Sequence, residues 1–175
     1  MIAIAPRVTT RTLPEEFERI YCEHSKFIYR TAYRITGNGE DAEDAMQTLF
    51  LRILRRELPA DFDRNPKAYL YRAAVNIALN IVRVRKHSPL SDSCPDPVST
   101  EETRGEAEIR ERLRQAMAEL SPKAAEILIL RHVHGYSDAE IAEFLGTSRG
   151  TIAVSLFRTR SRLRKSIRAL MGDKP

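Results

Sequence analysis

The stretch from Tyr136 to Ile152, with the basic run Phe157–Lys165 behind it, restricts the possible folds most. Ser137 and Glu140 stand at capping-box spacing, so a helix should begin there. Ile141, Ala142 and Leu145 fall on one face at helical spacing. Gly146 accepts the left-handed conformation that stops a helix, and Ser148 is placed to cap the next one. Two short helices across a tight turn make a helix-turn-helix, a unit that sets its second helix in the DNA major groove. An ordinary helical hairpin with a charged surface would carry the same capping signals.

The distribution of charge bears on that choice. The formal net charge of the 175 residues is +5. From Pro66 to Lys86 the chain has Lys67, Arg72, Arg83, Arg85 and Lys86 and no acid, and Ile141 to Pro175 carries a further net +6. Together these segments hold +11, so the remainder holds −6. Two basic patches on an otherwise acidic chain suggest two contacts with one polyanion. The cysteines, Cys22 and Cys94, are far apart, and His24, His132 and His134 lack partners at ligand spacing. We therefore expect no disulfide framework, no metal site and no cofactor. No apolar run approaches a bilayer span, and the opening residues lack a signal-peptide core, so a cytoplasmic location is expected. No nucleophile–base pair or phosphate-binding loop stands out, and the chain is not expected to be an enzyme.

Apolar spacing predicts a first helix over about 14–35, with Thr12 and Glu15 as a capping box, ended by Gly37-Asn38-Gly39. A second should run over about 40–54 on the face Ala42, Ala45, Met46, Leu49 and Ile53. Its first turns hold Glu40, Asp41, Glu43 and Asp44, where the helix dipole favours acids. Residues 57–65 read as a loop. Asn65-Pro66 then opens a third helix reaching about Lys86, with Leu70, Ala73, Ala74, Ile77, Ala78, Ile81 and Val84 inward. Arg72, Asn76, Asn80 and Arg83 form a separate polar stripe without the Lys/Glu mixture usual on a solvent face. Residues 87–108 hold three prolines, four serines and six acids against one base, the composition of a mobile tether. Beyond it, Ile109, Leu113, Met117 and Leu120 mark one helix, and Ser121-Pro122 opens another with Ala125, Leu128, Ile129 and His132 on its apolar side. The expected fold is all-α: a three-helix domain over 14–86, a flexible acidic linker over 87–106, and a four-helix domain over 107–171 that ends in the helix-turn-helix.

Three blocks then resemble one family. Asp41-Ala42-Glu43-Asp44-Ala45-Met46-Gln47-Thr48-Leu49-Phe50-Leu51 is similar to its polymerase-binding run, and residues 68–83 are similar to its promoter-melting helix. Leu120-Ser121-Pro122, Glu140-Ile141-Ala142, Gly150-Thr151-Ile152 and Arg158-Thr159-Arg160 resemble its C-terminal DNA reader. The chain resembles bacterial sigma factors of the extracytoplasmic-function group, in the sigma-70 family, over about 14–86 and 107–170.

The resemblance implies an alternative sigma factor that binds core RNA polymerase and directs promoter recognition, melting and initiation. It implies contact with the beta-prime clamp helices through Asp41, Asp44, Gln47, Phe50, Leu51 and Arg52, a further contact with the beta flap, and an anti-sigma factor as partner. The minus-10 element would meet Phe62, Arg72, Asn76, Asn80, Arg83, Arg85 and Lys86, with Tyr69 and Tyr71 as candidate stacking rings, one of them packed inward. The asparagines would hold base edges or backbone groups and the cations phosphates. The minus-35 element would meet a helix beginning at Ser148, through Arg149, Thr151, Ser155 and Arg158, with Arg160, Arg162 and Arg164 on phosphates. The chain departs from the family at Ala153-Val154-Ser155, where a lysine or arginine is common two residues after the Gly-Thr pair. Small and apolar residues there can contact thymine methyls. The rival reading, a conventional helix-turn-helix regulator binding DNA without polymerase, leaves residues 41–52 and the Asn76/Asn80 helix without a task.

Overall fold

The structure, a computed structural model, describes residues 13–55, 62–87 and 104–170. The Thr12 capping box, the loop before Phe62 and the body of the expected linker lie outside the described residues. Seven α-helices make up the described residues: α1 (Leu13–Thr36), α2 (Gly39–Leu54), α3 (Pro66–His87), α4 (Arg104–Ala118), α5 (Pro122–His132), α6 (Asp138–Leu145) and α7 (Arg149–Leu170). A short 3-10 turn, Phe62–Arg64, precedes α3. Helices α1, α2 and α3 pack on one another, and α4 to α7 gather around Leu120, Ile127, Leu130, Ile141 and Ile152.

The boundaries follow from local chemistry. Gly37, at φ +67°, ends α1, and its N–H reaches the Tyr33 carbonyl at 2.8 Å. The Asn38 side chain accepts from the Asp41 N–H at 3.1 Å and starts α2. Asn65 does the same for α3 through the Ala68 N–H at 3.0 Å. Ser121 caps α5, and Ser137 with Glu140 forms the full capping box of α6. Gly146, at φ +67°, closes α6 in the left-handed region, where a side chain would be strained.

The two groups of helices are not held apart. Helix α3 lies between α1 and α2 on one side and α4 and α5 on the other. Tyr71, Val75, Leu79 and Val82 are buried along with Leu70, Ala74, Ile77 and Ala78, leaving a stripe through Arg72, Asn76 and Asn80 exposed. The expected single inward face of α3 is thus corrected. The helix is apolar around most of its girth because it serves two cores, and Val84, expected inward, is exposed. Ile109 and Leu113 of α4 are likewise exposed rather than buried, and α4 packs through Ala116, Met117 and Ala118 instead. His132, expected on the apolar side of α5, is exposed.

Candidate polymerase and nucleic-acid interfaces

Helix α7 is the most basic element. It carries Arg149, Arg158, Arg160, Arg162, Arg164, Lys165 and Arg168 and no acid. Ile152, Leu156 and Thr159 are buried and fix which side faces outward. The Ser148 hydroxyl accepts from the Thr151 N–H at 3.1 Å and lies 2.8 Å from the Thr151 hydroxyl, so both residues are engaged in starting the helix. Arg149, Thr151, Arg158, Arg160 and Arg162 are exposed, and Ser155 is half-buried. The Arg160 guanidinium also lies 3.3 Å from the His132 ring. Sequence reasoning missed Phe157, which is 76% exposed. Its signal was position: Phe157 falls three residues after Val154, on the side away from Ile152 and Leu156.

On α3, Arg72, Asn76, Asn80 and Arg83 of the expected minus-10 set share one stripe, and both arginines are already engaged. The Arg72 guanidinium donates to the Leu145 carbonyl at 3.0 Å. Arg83 donates to the carbonyls of Ala118 at 3.1 Å and Leu120 at 2.7 Å. Leu145 and Ala118 are the last residues of α6 and α4, where carbonyls lack partners within their own helix and carry the negative end of the helix dipole. Both arginines, expected on phosphates, instead cap helix ends of the other module. Asn76 is exposed with its amide on the Arg72 carbonyl at 2.8 Å, and Asn80 is exposed. Lys86 lies on α3, but its side chain is outside the described residues.

Four expected contact residues, Phe62, Phe50, Asp41 and Arg85, are engaged in packing or pairing instead. Phe62 is buried edge-on against Tyr69 at 5.4 Å and is core rather than a free ring. Phe50 is 5% exposed, enclosed by Phe17 at 5.8 Å and Tyr21 at 4.8 Å, so it is not a surface anchor. Asp41 is buried, with its carboxylate 2.7 Å from the Arg85 guanidinium. Burial pushes the Asp41 carboxyl above its usual range despite the opposing pull of Arg85. That pair takes both Asp41 and Arg85 out of the roles expected for them. Of the α2 residues expected at polymerase, Asp44, Gln47, Leu51 and Arg52 are exposed.

The junction of the modules holds a side-chain cluster that the sequence did not reveal. The Tyr71 hydroxyl donates to the Glu126 carbonyl at 2.5 Å, and its ring meets Phe144 edge-on at 5.6 Å. The His134 ring centroid lies 4.1 Å from that of Phe27 with the planes tilted by 35°, and the ring is 2.9 Å from the Thr31 hydroxyl. Burial, with Arg30 and Lys67 nearby, lowers the His134 pKa to about 4, so the ring is neutral at pH 7. The Lys67 ammonium donates to the Tyr136 hydroxyl at 2.9 Å and sits 4.9 Å over the Phe27 ring.

Two family models match in the order of these modules. Sigma-70 region 2 matches residues 20–88, and sigma-70 region 4 matches residues 110–163. The chain is 32% identical to the RNA polymerase sigma-E factor of Streptomyces antibioticus over 87% of its length and 84% of the relative's. The chain belongs to the extracytoplasmic-function group of sigma factors. It is also 29% identical to the ECF RNA polymerase sigma factor SigW of Bacillus subtilis, covering 82% of this chain and 84% of that one. Among solved structures, the sigma factor RpoE of Bartonella quintana, in complex with the anti-sigma factor NepR, shares the fold. That likeness has a TM-score of 0.52 at 19% identity and covers 88% of this chain and 98% of the other. This sigma factor therefore binds core RNA polymerase and directs it to promoters. The match over residues 20–88 disfavours a regulator that works on DNA alone. No helix among the described residues of the sigma factor is long and apolar enough to cross a membrane.

Proposed function

We propose that the sigma factor works as a non-enzymatic subunit in the cytoplasm, with the division of labour 14–86 for polymerase and the minus-10 element and 107–171 for the minus-35 element. On α2, Asp44, Gln47, Leu51 and Arg52 meet the beta-prime clamp helices. Leu51, 50% exposed beside an exposed arginine, supplies an apolar anchor with a charged surround. On α3, Asn76 and Asn80 hold unstacked bases or backbone, at a melting cost of a few kcal/mol. On α7, Arg149 and Arg158 stand over the upstream element, with Arg160 and Arg162 on phosphates. The beta flap and an anti-sigma factor complete the partners, on the family resemblance alone.

The observation that carries this reading is the double engagement of α3. Arg72 and Arg83 occupy the same stripe as the two asparagines, yet their guanidinium groups cap α6 and α4. A helix end offers about half an elementary charge and a phosphate a full one, so promoter DNA can draw these arginines away once polymerase separates the modules. Binding to polymerase thus precedes minus-10 engagement. Run-off transcription with purified core polymerase tests the reading. Asn80→Ala should slow open-complex formation and leave core binding near normal. A drop in core binding of equal size would contradict the assignment.

A further inference from the structure

The outward line of α7 begins with a ridge of apolar side chains. Ile152, Leu156 and Thr159 face the module's core. At about 100° per residue, the line opposite them passes through Gly150, Val154, Phe157 and Ser161. Val154 is 49% exposed, and Phe157, at 76%, is the most exposed large apolar side chain among the described residues. Arg158 and Arg162 share a groove with Val154 on one flank, and Arg160 and Arg164 share one with Phe157 on the other. An apolar ridge between two rows of guanidinium groups matches the major groove, which has phosphates along both edges.

The floor of that groove offers hydrogen-bonding edges that neither valine nor phenylalanine can satisfy. Its one apolar feature is the C5-methyl of thymine. We infer that Val154 and Phe157 determine upstream-element specificity by packing on thymine methyl groups, beside the Arg149 contact at the start of the helix. The inference rests on α7 being the upstream-element helix. The paired arginine rows favour duplex DNA as the occupant over an acidic protein.

The holoenzyme, full chain with core polymerase, is offered duplexes randomised through the upstream element. Thymine should be enriched at fixed positions. Replacing each selected thymine with deoxyuridine removes the methyl and keeps every hydrogen-bonding group. Binding should weaken about three- to fivefold per methyl in contact, the scale of one buried methyl-sized group. Val154→Ser with Phe157→Ala should abolish that penalty while leaving the helical circular dichroism unchanged. Enrichment of a sequence with no loss on any uracil replacement overturns this inference and spares the proposed function. No enrichment of any sequence overturns the upstream-helix reading and this inference with it. Unaltered uracil sensitivity in the double variant would place the methyl contact on other residues and also overturns the inference.

Discussion

The hydroxyl of Tyr71, on α3, donates to the backbone carbonyl of Glu126, on α5, at 2.5 Å, so the middle of one module is tied to the middle of the other. The bond lies in a buried setting, where an acceptor left unpaired is costly. Tyr71→Phe keeps the ring contacts with Phe27 and Phe144 and removes only the donor. It should lower stability by about 1 kcal/mol, read as a fall in urea midpoint with an unchanged slope. A changed slope would mean that the modules no longer unfold together.

Phe50 and Leu51 are adjacent but separate stability from binding. Phe50→Ala should cost about 3–5 kcal/mol of folding stability, since it empties a site enclosed by Phe17 and Tyr21. Leu51→Ala should leave the thermal midpoint within a degree or two and weaken core polymerase binding by roughly fivefold or more. Equal thermal losses in both variants would remove Leu51 from the interface.

His134 gives the junction a pH dependence. Its folded pKa of about 4 lies below the unfolded value of about 6.5. Between those values the unfolded chain binds more protons, so stability rises with pH through this window. The contribution is complete above about pH 6.5 and is lost as pH falls toward 4. His134→Gln keeps a polar group near Thr31 without a charge change. Urea midpoints measured between pH 7 and 5 should fall less steeply in this variant than in the natural chain. Identical slopes would show that His134 stays neutral when unfolded or is exposed when folded.

Arg85 and Asp41 form an ion pair in which the acid is buried and the base about one-third exposed. Arg85→Ala strands the carboxylate and should cost about 1–3 kcal/mol, less than a fully buried pair because water reaches the arginine side. Adding Asp41→Asn should restore part of that loss. Chemical denaturation of both variants measures the recovery, and none at all would mean that the loss is of Arg85 packing alone.

Salt dependence tests the recognition helix. Arg158→Ala should weaken upstream-element binding by the holoenzyme and reduce the slope of log affinity against log salt by about one phosphate's share. An unaltered slope would turn Arg158 away from the backbone.

The helices and their ends were legible because local chemistry writes them. Asn65, Ser121 and Ser137 each make the cap their spacing predicts, and Asn38, read from sequence only as part of the turn that ends α1, caps α2 as well. Burial was harder to read. Phe50 and Phe62 are large rings beside polar neighbours, and only their tertiary partners decide that they are core. Tyr71, Val75, Leu79 and Val82 repeat at steps of four, four and three, a second apolar stripe visible beside the one through Leu70 and Ile77. The fate of Arg72 and Arg83 could not be read at all. A guanidinium seeks oxygen, and nothing local says whether the oxygen belongs to a phosphate or to a distant helix end.

A helix enclosed on almost every side has little freedom to change. New residues along most of α3 would have to suit two cores at once, whereas the outer ridge of α7 can be exchanged with no packing consequence. Among descendants of this chain, preference for the upstream promoter sequence should drift first, while the packed faces of α3 stay nearly fixed.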